Sequence, residues 1–205
     1  MDSRFRRSRD ALRVAVYRLA EQRPVTDVTV TELCREAEVT RDTFYRHSSS
    51  PLDLLATLLR EELENIAGDH PDLSGSSRTD SGMRAGVRAL CQHVADHAGV
   101  YRNASTPHLL SPLRDNLEAV VRGSLEAHAR RHPGILPAGA QSDGDIRGLA
   151  AYAAAGTVGA LEVWLEAEVL DVERGEWLIM AASPAFWHGP QEDTEGSRST
   201  EATMT

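Results

Sequence analysis

Residues 28–60 read VTVTELCREAEVTRDTFYRHSSSPLDLLATLLR, and this stretch contains three helix starts in close succession. Thr29 and Glu32 have the spacing of a capping box, in which each side chain hydrogen-bonds the backbone N–H of the other residue. Thr40 has the side chain to cap a second helix. The Ser-Pro pair at 50–51 is typical of a third start, because proline fits the first helical position. Two short helices joined by about three residues predict a helix-turn-helix, followed here by a long helix.

The second of these short helices carries side chains that suit contact with DNA. Hydroxyl and imidazole groups hydrogen-bond phosphate oxygens, and arginine binds phosphate or reads guanine through two hydrogen bonds. The polar residues concerned are Thr40, Arg41, Thr43, Tyr45, Arg46 and His47. Phe44 has the spacing to pack inward against the first helix. The alternative is a corner of two helices that binds nothing, whereas a winged helix is excluded because a long helix follows instead of a hairpin.

Helical periodicity recurs over most of the chain and predicts an all-α fold. From Leu12 to Leu19, apolar residues fall at i, i+3, i+4 and i+7, and the same pattern returns after each break. The breaks at 68–82 and 133–144 are rich in Gly, Pro and Ser and predict loops. Residues 51–66 are apolar around more than half of the helix, so we expect this helix to connect two domains. No segment alternates with a period of two.

The last two predicted helices carry apolar faces that suit an interface between two copies of the chain. One face of the penultimate helix contains the small residues Gly156 and Gly159, which permit close approach of another helix. We expect Pro184 to end the last helix early. Four helices packed across a two-fold axis would bury Trp164, Trp177 and the glycine face.

The charge of the chain is distributed unevenly. The formal net charge is −9 over 205 residues, which argues against a protein that coats nucleic acid through bulk charge. Residues 1–50 contain ten arginines and eight acidic residues, a net charge of +2, so the remainder carries −11. The positive charge therefore lies where the helix-turn-helix is predicted. The acidic balance of the second part is compatible with a cationic apolar ligand.

Composition also limits the location of the protein. Two cysteines, Cys34 and Cys91, do not make a disulfide framework or a zinc motif. No apolar stretch typical of a signal peptide follows the arginine-rich N-terminus. The least charged segment, 148–165, is mostly Ala and Gly and too weakly apolar for lipid. We expect a cytoplasmic protein that does not contact membranes.

The pattern T-x-T-E-L-C-x-E-A-x-V-T-R-x-T-F-Y-R-H at residues 29–47, followed by a long Leu-rich helix, closely resembles the N-terminal region of TetR-family transcriptional regulators. The resemblance is specific over roughly residues 8–66. It implies a three-helix DNA-binding domain at 1–50 and a helical ligand-sensing and dimerisation domain at 51–188, about nine helices in all. Residues 189–205, which lack apolar side chains for a core, predict a disordered tail.

The resemblance also implies a function. A member of this family is a homodimer that binds a double-stranded operator, pairs through its last two helices and responds to a small-molecule effector. We expect a ligand-responsive repressor on a near-palindromic operator, with no catalytic residue, cofactor or bound metal. Matched by position, the DNA-contact candidates are Thr29, Thr40, Arg41, Thr43, Tyr45, Arg46 and His47.

Three residues depart from the family pattern. Glu38 stands in the turn where the family usually has glycine, so the turn must form without that residue's freedom at positive φ. Ser48 replaces an aromatic anchor, and Pro51 stands where a basic residue commonly contacts phosphate. Together they predict a lower affinity for DNA or an altered register on it.

Two further sets of residues suggest ligand chemistry. Candidates to line a ligand cavity are Tyr101, His108, Tyr152 and Trp164, for each of which core packing is the alternative. Histidine pairs with the i, i+4 spacing of metal ligands are His93 with His97 and His128 with His132. The chain has no H-E-x-x-H motif, and we expect structural or surface roles for both pairs. The alternative function is a helical ligand- or metal-binding protein whose DNA binding is weakened or lost.

Overall fold

The computed structural model describes residues 3–69, 79–105, 108–140 and 142–188. Over these residues the chain forms nine α-helices and three short 3-10 turns, and strands are absent apart from one isolated bridge between Ser105 and Leu109. The helices are α1 (Ser3–Gln22), α2 (Val30–Glu36), α3 (Arg41–Tyr45), α4 (Pro51–Asp69), α5 (Thr79–Asp96), α6 (Ala98–Asn103), α7 (Ser111–Arg131), α8 (Asp143–Leu165) and α9 (Val172–Ala182). The predicted all-α fold of about nine helices is confirmed.

The short helices α2 and α3 begin at the predicted caps. The Thr29 hydroxyl accepts a hydrogen bond from the Glu32 N–H at 3.2 Å, and Thr40 accepts one from the Thr43 N–H at 3.2 Å. Each bond satisfies one of the N–H groups that a helix start leaves unpaired. The Glu32 carboxylate forms an ion pair with Arg23. Glu32 thus ties α2 to the segment after α1 in addition to contributing its N–H to the cap.

The turn between α2 and α3 contains a residue in the left-handed region. Glu38 has φ of 52°, and it is the one non-glycine residue with positive φ in the described part of the chain. This conformation costs an L-residue about 1–2 kcal/mol. The turn therefore has the shape that glycine adopts freely, although glycine is absent.

Replacing Glu38 with glycine should raise the free energy of unfolding by about 1 kcal/mol, because glycine adopts positive φ without the steric cost. Urea denaturation of the full chain measures the change. A matched control is Arg122→Gly, in the exposed interior of α7, which should lower stability by about 1 kcal/mol. A loss of stability in Glu38→Gly as well would show that the turn stores no strain.

The helix α4 connects the first three helices with the rest of the chain. It packs on α1 along one side and on α7 and α5 along the other, with Leu55 and Leu59 buried between them. Both oxygens of Glu61 on α4 accept hydrogen bonds from Arg9 on α1, at 2.5 and 2.6 Å. The helix extends beyond the predicted 51–66 and shares its apolar surface with both halves, as its wide apolar face indicated.

A second connection joins α6 to the end of α1. The Asn103 side-chain amide donates hydrogen bonds to the carbonyls of Ala20 and Glu21, each at 2.9 Å. These carbonyls belong to the last turn of α1, whose acceptors have no partner within the helix. The backbone of Gly99 also approaches Glu21 closely, since a Cβ at Gly99 would lie 3.5 Å from the Glu21 Cα atom. The C-terminal end of α1 is therefore held by α6.

The remaining helices pair as α7 with α8 and α5 with α9. A capping box between Ser142 and Asp145 begins α8, and α9 ends before Pro184, as predicted. The loop predicted at 68–82 is shorter than expected at both ends, because α4 continues to Asp69 and α5 begins at Thr79. The centre of that loop and the tail predicted at 189–205 lie outside the described residues.

Trp164 on α8 lies in the core of the chain itself. A Cβ added to Gly175 on α9 would lie 2.9 Å from the Trp164 Cε2 atom and 3.2 Å from the Cys91 sulfur. Only glycine allows α9 to approach so closely. The expectation that Trp164 is buried by a second copy of the chain is therefore wrong, because its own α9 covers it.

One helix in the described ranges, Asp143–Leu165, is long and apolar enough to cross a membrane by length and composition alone. Core helices of proteins in water have the same length and composition. Here the helix buries residues such as Ala154, Val158 and Leu161 against the rest of the chain.

Candidate nucleic-acid interface and ligand cavity

The helix α3 separates one buried aromatic residue from an exposed polar face. Phe44 is wholly buried in the core formed with α1 and α2. Arg41, Tyr45 and Arg46 are exposed, and Asp42 is the one exposed acidic residue of the helix. The helix is only five residues long and passes directly into a turn. Its outward side chains therefore project together from a short, well-anchored element.

Two of the threonines predicted to contact DNA cap the helices α2 and α3. Thr29 and Thr40 use their hydroxyl oxygens as caps of α2 and α3, and the Thr40 and Thr43 hydroxyl oxygens lie 2.9 Å apart. Thr29 and Thr40 are also exposed to solvent. Their first role is to fix the position of α3, and the remaining hydrogen-bonding capacity of the hydroxyls faces outward.

His47 joins the end of α3 to the beginning of α1. Its Nε2 atom lies 2.8 Å from the Ser8 hydroxyl oxygen, and its ring lies 4.2 Å from that of Phe5. Burial, together with the charges of Arg9 and Arg46, lowers the pKa of His47. His47, which was predicted to contact DNA, therefore contacts α1 in the structure. The sequence pattern did not predict the pairing with Ser8.

The contacts of His47 bring the arginine-rich start of α1 next to the end of α3. The exposed arginines of these two helices, which we call the basic surface, are Arg4, Arg6, Arg7, Arg41 and Arg46. Phosphate groups of DNA are attracted to such a concentration of fixed positive charge. The basic surface lies in a chain whose net charge is −9, within residues 1–50, which carry a net charge of +2.

Ser48 and Pro51, which depart from the family pattern, lie at the junction between α3 and α4. The Ser48 hydroxyl donates to the Asp53 carboxylate at 2.8 Å, and the Ser49 backbone N–H donates to the same oxygen at 3.0 Å. The Ser49 N–H and the Ser48 hydroxyl lower the pKa of Asp53, so the carboxylate stays ionised. Pro51 is buried at the first position of α4. A polar network thus takes the place of the aromatic anchor expected from the family pattern.

A large cavity lies between α4, α5, α7, α8 and the 3-10 turn Ala185–His188. Its volume is about 750 Å³, within the range of sites that bind drug-sized molecules. The larger apolar residues around it are Leu63, Ile66, Met83, Val87, Leu90, Val120, Val121, Leu125 and Ile179. Arg60, Glu64, His128 and Arg131 are its charged or titratable lining residues. The lining is therefore not acidic, in contrast to the net charge of residues 51–205.

The indole N–H of Trp187 is a buried donor at this cavity without a hydrogen-bond partner among the described residues. Trp187 lines the cavity and is 1% exposed, and within the described ranges no acceptor bonds its indole Nε1–H. A buried donor without an acceptor costs about 1–3 kcal/mol. A molecule in the cavity that offers an acceptor would remove this cost. The sequence did not identify the residues that line this cavity. Small residues such as Gly86 and Gly123 on apolar helices were the weak signal for it.

The four residues predicted to line a ligand cavity are not brought together. Tyr101 is buried and its hydroxyl oxygen lies 3.0 Å from His93 Nε2. His108 and Tyr152 are exposed, and Trp164 packs against α9. None of the four lines the cavity between α4, α5, α7 and α8.

The helix α8 leaves an apolar face open to solvent. We call this surface the α8 face and define it by Tyr152, Gly156, Gly159 and Val163. Tyr152 and Val163 are 77% and 63% exposed, and a Cβ added at either glycine would meet nothing within 4 Å. On α9, Trp177 is 52% exposed. Large apolar side chains therefore lie exposed on the last two helices.

No protein-family model matches the sequence, and no curated protein matches it. Solved structures match over most of the chain. The fatty acid degradation regulator FadR from Bacillus halodurans is 11% identical with a TM-score of 0.64, over 89% of this chain and 99% of that one. A tetR-family transcriptional regulator from Streptomyces coelicolor is 14% identical with a TM-score of 0.58, over 88% and 80%. The dihydroxyacetone kinase operon activator DhaS is 13% identical with a TM-score of 0.62, over 85% and 92%.

These matches establish the architecture of the chain. The fold is the all-α fold of TetR-type transcriptional regulators, with a helix-turn-helix at one end and a helical bundle at the other. The resemblance expected from residues 29–47 is confirmed at the level of fold. The similarity extends to the second half of the chain, where the sequence pattern carried little information.

Proposed function

We propose that this chain is a DNA-binding transcriptional regulator and not an enzyme, acting in the cytoplasm as a ligand-responsive repressor. The observation that carries the proposal is the division of α3 into a buried anchor and an exposed polar face. Phe44 holds the helix, whereas Arg41, Tyr45 and Arg46 face outward beside the arginines of α1. A recognition helix must present its side chains in this way to reach base edges and phosphates.

The regulator binds as a homodimer through α8 and α9. Glycine inside a helix costs about 1 kcal/mol relative to alanine, and nothing in the described part of the chain packs against Gly156 or Gly159. A second helix that approaches the α8 face closely would account for both glycines and would cover Tyr152 and Val163. We assign the exposed Trp177 of α9 to the same interface.

A two-fold dimer determines the form of the operator. Each protomer contributes one α3, and two such helices enter successive major grooves when they lie about 34–36 Å apart. The operator would then be near-palindromic, with one half-site for each protomer. The basic surface adds contacts to the flanking backbone, which position the protein without reading sequence.

The cavity is the site for a small-molecule effector. The effector that suits it is largely apolar, because most of the lining is, and it carries an acceptor for the Trp187 N–H. It regulates DNA binding only if it binds one arrangement of the dimer more tightly than another. Since α4 borders the cavity and packs on α1, this helix transmits the effect of the bound effector to the first three helices.

The proposal is tested by selecting bound fragments from random DNA and measuring affinity for the selected site by gel shift. Arg46→Ala and Tyr45→Ala should each weaken binding by about tenfold or more, corresponding to roughly 1–3 kcal/mol for a base contact. Both variants should remain folded, because the two side chains are exposed. Arg122→Ala, on the exposed side of α7, is the control and should bind normally.

Two results would contradict the proposal. If no fragment is enriched by the wild-type protein, then the helix-turn-helix does not function as a DNA reader. If selected DNA binds equally well to Arg46→Ala, Tyr45→Ala and the control, then the α3 face is not the contact surface.

A further inference from the structure

A group of three titratable side chains lies between α4 and α5, outside the DNA-binding face and the cavity. Glu62 comes from α4, His93 from the last turn of α5, and His97 from the junction between α5 and α6. One potential ligand atom from each residue lies within 4.8 Å of the others. We call these residues the histidine–glutamate cluster. The sequence showed the histidine pair but not the carboxylate, which precedes it by about thirty residues.

The two imidazoles point at the same carboxylate oxygen. His97 Nε2 lies 2.9 Å from Glu62 Oε2, and His93 Nδ1 lies 3.8 Å from that oxygen. The second oxygen, Oε1, accepts hydrogen bonds from the Tyr17 hydroxyl and from Arg13, each at 3.1 Å. Contacts from α1 therefore hold one side of the carboxylate and leave the other directed at the two rings.

His93 is positioned as a metal ligand would be. Its Nε2 atom lies 3.0 Å from the Tyr101 hydroxyl oxygen, so Nδ1 is the atom that faces the cluster. The distance of 3.8 Å from Nδ1 to the carboxylate is too long for a hydrogen bond. A buried imidazole nitrogen directed in this way is a potential ligand for a metal ion.

We propose that Glu62, His93 and His97 bind one divalent transition-metal ion of the zinc class. Two histidines and one carboxylate are an established ligand set for Zn²⁺ that leaves a fourth position open. Bonds of about 2.0–2.2 Å at tetrahedral angles place ligand atoms roughly 3.4 Å apart. The distances of 2.9 and 3.8 Å lie on either side of this value, so small side-chain movements complete the site.

The surroundings of the cluster supply the outer contacts that such sites use. The hydrogen bond between His93 and Tyr101 fixes the orientation of the first imidazole, and Tyr17 and Arg13 fix that of the carboxylate. Nitrogen ligands favour Zn²⁺ over Mg²⁺ or Ca²⁺, which prefer oxygen. The other histidine pair, His128 and His132, belongs to no group of three potential ligands among the described residues.

An ion at this position would join three helices. It would bond α4 to α5 directly, and it would reach α1 through the carboxylate that Tyr17 and Arg13 hold. Metal binding would therefore stabilise the contact between the first helix and the bundle. The proposal does not depend on DNA binding, and each can fail without the other.

The test uses the full chain purified without a metal-affinity tag and treated with a chelator. Zn²⁺ alone is titrated by calorimetry, and Co²⁺ is added separately because its visible absorption reports the ligand geometry. We expect one ion per chain, a higher melting temperature with Zn²⁺ than without, and a Co²⁺ spectrum of low coordination number. Glu62→Gln and His97→Gln should each weaken binding by about 100-fold or more, and Tyr101→Phe by about tenfold.

The matched control is His132→Gln, which interrupts the other histidine pair and should bind Zn²⁺ as the wild type does. Circular dichroism establishes that each variant is folded. His97→Gln is the variant least expected to disturb the fold, because it keeps the contacts of Glu62 with α1. The proposal is overturned if the wild type binds no ion, in which case the cluster is only a set of hydrogen-bonded side chains. It is equally overturned if both Glu62→Gln and His97→Gln bind Zn²⁺ with unchanged affinity.

Discussion

Phe44→Ala should lower the free energy of unfolding by about 3–5 kcal/mol and remove specific DNA binding. Removing a wholly buried aromatic side chain forfeits its burial and leaves a cavity. The consequence is severe here because α3 has only five residues and is too short to form without tertiary packing. Urea denaturation and gel shift on the selected operator measure the two effects.

The neighbouring residue provides the matched control for this prediction. Tyr45→Ala removes an aromatic side chain of similar size from the exposed side of the same helix. It should reduce DNA affinity while changing the stability by less than about 1 kcal/mol. Equal losses of stability in the two variants would mean that Phe44 does not anchor α3 as its burial indicates.

Gly156→Gln should convert a dimer into monomers and lower the affinity for a two-site operator by about 100-fold or more. The larger side chain would prevent close approach of a partner helix at the α8 face. The fold of the single chain should not suffer, because nothing lies within 4 Å of the added Cβ. Glutamine also favours the helix over glycine by about 0.5 kcal/mol. Sedimentation equilibrium at micromolar concentration measures the change of mass.

Gly156→Ala adds a single methyl group and serves as the graded control. It should weaken the dimer less than the glutamine variant does. If Gly156→Gln remains a dimer with unchanged affinity, the interface lies elsewhere on the chain. If the wild type is itself a monomer at these concentrations, the proposal of a dimer through α8 and α9 fails.

Features with local causes were predicted well from the sequence. Thr29 and Thr40 cap their helices because a side-chain oxygen of the right length lies next to unpaired N–H groups. Phe44 is buried because its spacing places it on the inner face of α3. Pro184 follows the end of α9 because its ring is incompatible with a continuing helix.

Features that depend on which helices meet could not be predicted. Periodicity indicates the apolar face of a helix but not the element that covers it. Trp164 was expected in an interface between chains, but Gly175 allows α9 to cover it. The cavity arises where α4, α5, α7 and α8 fail to fill the space between them. Glu62 joins His93 only because α4 and α5 pack together, and no local pattern links them.

The hydrogen bonds from Asn103 have a geometric consequence for regulation. They hold the C-terminal end of α1, which is 20 residues and therefore about 30 Å long. If α1 turns by 10° about that point, its far end, beside His47 and the recognition helix, moves by about 5 Å. In the proposed dimer the same displacement would occur in both protomers, so equal tilts of the two α1 helices would change the distance between the two α3 helices.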